Sequence, residues 1–142
     1  KRDEPEQALA ILRRGLQVLP EEVTWLRALA EAAEGAGELD LARRTLARIC
    51  ELDAESLAER RRLAELALDA GDHAAAVKYA RLALHIDVLD ADVHLTLARG
   101  YRGLNELAAA KAEYEVALEL RPKSAEIEAE LRALSARPPA AP

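Results

Sequence analysis

Phenylalanine and methionine are absent from this 142-residue sequence, tryptophan and cysteine occur once each, and aromatic residues make up only 3% of it. A deep core built around large rings is therefore excluded. The 51% hydrophobic content is mainly Ala and Leu, strong helix formers that suit thin helices packed closely. The single cysteine, Cys50, rules out an intrachain disulfide and leaves the redox compartment open. A basic surplus is missing too: the formal charge is −6 and the pI about 5.2, which argues against binding a phosphate backbone. No apolar run approaches the roughly 18 residues that span a bilayer, and no N-terminal segment has the layout of a signal peptide. The compartment stays unknown. Without any useful stretch of period-two alternation, no sheet is expected.

Chemistry-bearing motifs are equally scarce. There is no glycine-rich phosphate loop and no nucleophile elbow. His73, His85 and His94 lack a second histidine at i+3 or i+4, so no metal site is expected. Cys50 shares a column with Leu16, Leu84 and Leu118 and reads as a small core residue, not a nucleophile. The expectation is a chain that is not an enzyme and holds no cofactor.

What the sequence does have is a period. Ala8, Ala42, Ala76 and Ala110 are each 34 residues apart, a spacing that signals a solenoid of repeats. Leu29, Leu63 and Leu97 keep the same step, as do Ala30, Ala64 and Ala98, and Gly37, Gly71 and Asn105, each of the last three followed by an acid. Punctuation between columns divides the chain into amphipathic helices over 5–18, 24–35, 39–52, 57–70, 73–86, 91–103, 107–120 and 125–136. Ser56 and Glu59 form a candidate capping box, and Asp72 and Asp90 are candidate N-caps. Gly37, Gly71 and Asn105 stand where a helix must end in a left-handed residue. Pro20 and Pro122 stop the helices before them.

These columns resemble the tetratricopeptide repeat, a helix–turn–helix unit. The clearest copy runs from Ala91 to Ser124, with Leu97-Ala98, Tyr101, Ala110, Tyr114, Ala117 and Pro122 at the family's places. The copy at 57–90 keeps Leu63-Ala64, Gly71-Asp72, Ala76 and Ala83 but lacks the tyrosine and the proline; the copy at 23–56 keeps Leu29-Ala30, Gly37, Ala42 and Leu46. The resemblance implies an all-α, right-handed superhelical α-solenoid. It would form one array over 1–137: a half-repeat at 5–20, three repeats, a capping helix at 125–136, and a flexible tail at 138–142. The chain, opening at the second helix of a repeat, reads as a segment of a longer protein. In the final helix Ile127, Leu131 and Leu134 take one face, and Glu126, Glu128, Glu130 and Arg132 face solvent.

By the same resemblance, a second stripe on each first helix faces a concave groove that binds peptides or helices. It contains Arg27, Glu31 and Glu34, then Arg61, Glu65 and Leu68, then Leu95, Arg99 and Arg102. Mostly charged, it also suits a merely solvated face. Leu68 and Leu95 either form an apolar spot among Arg61, Arg99 and Arg102 or pack between adjacent first helices. A carboxylate clamp known in part of the family maps onto Arg27, Glu31, Arg62, Asp92 and Thr96; its two acids would repel an acidic tail. Trp25 reads as packing on the leading helix, and Arg60-Arg61-Arg62 as a charged helix surface. The expected function is a non-catalytic scaffold that presents its groove to a protein or peptide partner, without nucleic-acid binding or membrane insertion. Two rivals stay open: an accessory region of a longer enzyme or of a secretion or assembly component, and self-association through the N-terminal half-repeat.

Overall fold

The computed structural model describes residues 3–18 and 21–136, and every regular element among them is an α-helix. They are α1 Asp3–Val18, α2 Val23–Gly35, α3 Leu39–Leu52, α4 Leu57–Asp69, α5 His73–Leu84, α6 Ala91–Gly103, α7 Leu107–Leu120 and α8 Ala125–Ser135. Most ends fall within a residue or two of those expected. Helix α5 closes early because His85 is its C-cap and the amides of Ile86 and Asp87 both turn back to the Ala83 carbonyl. Pro20 and the tail at 138–142 lie outside the described residues.

The turns repeat one device. Gly37 and Gly71 have φ of 77° and Asn105 has φ of 61°. At each, the left-handed residue donates its amide to the carbonyl three residues back: Gly37 to Glu34, Gly71 to Leu68 and Asn105 to Arg102. The following acid then donates to the carbonyl five back: Glu38 to Ala33, Asp72 to Ala67 and Glu106 to Tyr101. This Schellman closure satisfies carbonyls that the helix end leaves unpaired. The next helices start on side-chain caps where the sequence supplies them. Asp72 accepts from the Ala75 amide, Asp90 from those of Asp92 and Val93, and Ser124 from that of Ile127. The expected capping box at α4 is different. The Ser56 hydroxyl donates to the Asp53 carbonyl at 2.6 Å, and the Glu59 carboxylate is taken by Arg27 instead of folding back on its own helix.

The chain divides into two compact units, residues 1–66 and 67–142, with the boundary inside α4. In the first unit α1 packs on α2 and α2 on α3. Leu26, Leu29, Ala30, Ala33, Ala42, Leu46 and Ile49 form the buried interior. In the second, α5 packs on α6, α6 on α7 and α7 on α8. One cluster there joins Leu95, Ala98, Ala110, Tyr114, Ala117, Ile127 and Leu134. The alanine columns are buried as the period demands. Ala30, Ala64 and Ala98 on first helices, and Ala42, Ala76 and Ala110 on second helices, all lie inside, and helices meeting through such small residues approach closely. Two positions depart from the expected pattern. Cys50 is only half-buried, with Leu16, Leu84 and Leu118, because the buried column is one residue earlier, at Ile49, Ala83 and Ala117. Burial raises the Cys50 thiol above its ordinary pKa, which favours its protonated form. In α1 the inward residue is Leu9 and not its neighbour Ala8, while Ile11 and Val18 stay exposed.

Trp25 does lie on the leading helix. A β-carbon at Gly15 would sit within 3.0 Å of its Cζ3, Cε3 and Cη2 atoms, so the ring covers a spot where α1 has no side chain. Gly15→Ala tests this contact with two opposing effects. Helix propensity favours alanine by about 1 kcal/mol, whereas forcing a rigid ring outward costs about 1–3 kcal/mol. A net loss of stability is expected, with a red shift of the single tryptophan's emission as the indole moves toward water. A more stable variant with unchanged emission would remove the contact.

Candidate interaction surface

The first helices carry a ladder of arginines and carboxylates. In the first unit Arg27 on α2 donates through Nε to Glu59 at 2.5 Å and through Nη2 to Asp53 at 2.9 Å. Arg62 on α4 reaches back to α2, donating through Nε and Nη2 to one oxygen of Glu34 at 2.8 and 2.5 Å, and through Nη1 to Glu65 at 3.1 Å. The hydrogen bonds that Arg62 donates to Glu34 and Glu65 hold its guanidinium above its usual pKa against the opposing pull of desolvation. The two arginines are roughly half exposed and most of their carboxylates less so; with the guanidiniums in water, each pair contributes little to stability, about 0–1 kcal/mol. Their effect is to fix the direction of long side chains.

Fixing them opens a cleft of about 320 Å³ lined by Arg27, Ala30, Glu31, Glu34, Leu46, Ala58, Glu59 and Arg62. Ala30, Leu46 and Ala58 make an apolar floor, and the charged groups make the rim. The carboxylate of Glu31, exposed on α2, has no hydrogen bond or ion pair among the described residues.

The second unit has a counterpart. A cleft of about 370 Å³ is lined by Leu68, His73, Arg99, Arg102 and Gly103. Its arginines are held by α8: Arg99 donates through Nε to both oxygens of Glu130 at 3.1 Å and through Nη2 to Glu126 at 2.6 Å, and Arg102 reaches Glu130 at 3.4 Å. The hydroxyl of fully buried Tyr114 donates to Glu130 at 2.8 Å. Burial pushes the Glu130 carboxyl up, but the bonds from Arg99 and Tyr114 and the two guanidinium charges outweigh it and leave it below the usual carboxylate range. Tyr114 is raised in turn, by burial first and then by its bond to Glu130. Glu130 therefore does not face solvent, as the helical wheel of α8 had suggested. Two arginines on α6 draw it inward.

His94 is a second polar group inside this unit. Buried on α6, it has Nδ1 at 2.7 Å from Glu113 on α7 and Nε2 at 2.8 Å from the Val88 carbonyl. A carbonyl only accepts, so Nε2 carries a hydrogen and donates. The ring ties the segment before α6 to α7, a structural role.

Of the stripe expected to face a groove, Arg27 and Glu31 line the first cleft, and Leu68, Arg99 and Arg102 line the second. Glu65 is beside the first cleft as a partner of Arg62, and half-buried Arg61 lines neither. Leu95 is 5% exposed and belongs to the core cluster with Tyr114 and Ile127, so it does not line the second cleft with Leu68. Among the clamp places, Arg27 and Arg62 are already bonded to carboxylates, Asp92 pairs with Arg121 at 2.9 Å, and the buried Thr96 hydroxyl donates to the Asp92 carbonyl.

The roles of Glu59, Arg62, Glu130 and Tyr114 in the ladder went unseen in the sequence, although the period carries a signal for part of it. Positions 34, 68 and 102 form one column and 62, 96 and 130 another. The first and last rungs are Glu34–Arg62 and Arg102–Glu130, the same pair with its charges exchanged. A charge exchange between the same two columns, recurring two periods along, marks side chains that meet.

No protein-family model matches the sequence, and no curated protein matches it. Among solved structures, three likenesses define the class. The MamA segment from residue 41 to the end, from Desulfovibrio magneticus, superposes with a TM-score of 0.81 at 18% identity, over 92% of this chain and 74% of that one. The first tetratricopeptide domain of Spaghetti (RPAP3), solved with the HSP90 peptide SRMEEVD, gives 0.72 at 22% identity over 80% of this chain and 90% of that one. The tetratricopeptide domain of Arabidopsis OM64 gives 0.71 at 17% identity over 79% and 93%. The fold is that of tetratricopeptide-repeat domains: an all-α array of helical hairpins. No described helix is long and apolar enough to cross a membrane.

Proposed function

We propose that this chain is a non-catalytic protein-interaction module that docks an extended peptide or helix of a partner on the face built by its first helices. The observation that carries the reading is the cleft of the first unit. An apolar floor of Ala30, Leu46 and Ala58 lies open beneath a rim of oriented arginines and glutamates, a combination suited to one side chain of a partner. The solved RPAP3 domain with its bound peptide supports the use of this fold for peptide capture. A photo-reactive amino acid at exposed position 58, in the floor, is expected to label a defined peptide segment of a copurifying partner. The same group at exposed position 44 on α3 should not. Equal labelling from both positions, or none from 58, would overturn the reading.

The ligand differs from that of the RPAP3 domain. In the first unit the acidic tail of SRMEEVD would meet Glu31, while Arg27 and Arg62 are occupied by the chain's own carboxylates. Calorimetry with that peptide is expected to give no binding tighter than about 1 mM. A micromolar isotherm would contradict the assignment of these places.

A further inference from the structure

We infer that the cleft of the first unit selects a lysine or arginine side chain of the partner peptide, an inference that rests on the peptide-docking reading above. The lining and the groups bonded to it bring two arginines, Arg27 and Arg62, against five carboxylates, Glu31, Glu34, Asp53, Glu59 and Glu65. Each arginine already donates to two carboxylates, so neither guanidinium is left to recruit an anion. Glu31 is the reverse: an exposed carboxylate at the cleft with no hydrogen bond or ion pair among the described residues. The site therefore carries a surplus of negative charge and one carboxylate with no cationic partner.

The shape agrees with the charge. At about 320 Å³ the cleft is at the small end of ligand sites, which run from about 300 to 1,000 Å³, and so takes a single side chain better than a large ligand. Its floor is aliphatic, and its rim sets the carboxylates of Glu31, Glu34 and Glu59 against the guanidiniums of Arg27 and Arg62, an acidic balance. Lysine and arginine have the matching division, an apolar stem that lies along aliphatic surface and a charged head that stays at the wet edge. The stem would cover Ala30, Leu46 and Ala58 while the head pairs with Glu31. A leucine would fill the floor but leave Glu31 unmet, and a glutamate would add a sixth carboxylate.

Short randomised peptides displayed on phage and selected on the immobilised full chain test this. The expected outcome is enrichment of Lys or Arg over Asp and Glu at one position, beside apolar residues. A selected lysine peptide should bind Glu31→Lys about tenfold more weakly than the parent chain. It should bind Glu128→Lys, an equal charge change on exposed α8, as well as the parent. Circular dichroism of both variants should match the parent, since both positions are exposed. Peptides without a basic excess, affinity indifferent to Glu31→Lys, or equal weakening by both variants would overturn the inference and leave peptide docking standing. Failure to select any peptide would remove the docking reading and this inference with it.

Discussion

Tyr114→Ala is expected to lower the unfolding free energy by about 3–5 kcal/mol, the range for deleting a fully buried ring, and to shift the urea midpoint followed by circular dichroism accordingly. Tyr114 is 0% exposed and sits in the cluster of Leu95, Ala98, Ala110, Ala117, Ile127 and Leu134. In a chain with no phenylalanine, no other large ring is fully buried to take over its volume. The substitution removes the ring's apolar contacts and also the hydroxyl that donates to Glu130. Tyr114→Phe separates the two contributions. It keeps the ring and deletes only the hydrogen bond, and Glu130 retains Arg99 and Arg102 as partners. A loss of about 0.5–1.5 kcal/mol is expected there. If Tyr114→Ala and Tyr114→Phe cost the same, packing is not what the ring supplies.

Ala76→Leu is expected to cost about 1–3 kcal/mol by overpacking. Ala76 is 0% exposed on α5 and shares its column with Ala42 and Ala110, also 0% exposed. Three further carbons have no space there unless α5 moves away from its neighbours, because packed interiors lack voids of that size. The sequence supplies its own control. Ala74, two residues earlier on the same helix, is exposed, so Ala74→Leu should leave stability within about 0.5 kcal/mol of the parent. An Ala76→Leu protein with an unchanged melting temperature, or one destabilised no more than Ala74→Leu, would show that the register assigned to the second helices is wrong.

These predictions draw on two kinds of information, and the chain separates them. Helix bounds and turns were legible because each depends on a few adjacent residues. Gly37, Gly71 and Asn105 adopt positive φ since glycine, and after it asparagine, tolerates it at low cost, and Asp72 and Asp90 cap because their carboxylates reach amides two or three residues on. Repetition then made the alanine columns readable, since Ala42, Ala76 and Ala110 recur at one spacing and share one environment. The candidate surface was only partly legible. Its arginines lie on the expected stripe, but the stripe does not say that Arg27 and Arg62 are already bonded to carboxylates of other helices while Glu31 is not.

By itself, the sequence determined the elements, their ends and the spacing at which they repeat, because those follow from local backbone preferences and from which residues are small. Only the tertiary structure decided which of two neighbouring columns lies inside. Successive helix positions are turned by about 100°, so a modest change in how a neighbour leans exchanges a core place for an edge place. That is why Leu95 is interior, Cys50 is half-buried behind Ile49, and Glu130 turns toward Arg99. Ion pairs between helices obey the same geometry: a guanidinium takes whichever carboxylate the packing brings within reach, and no property of either residue alone names its partner.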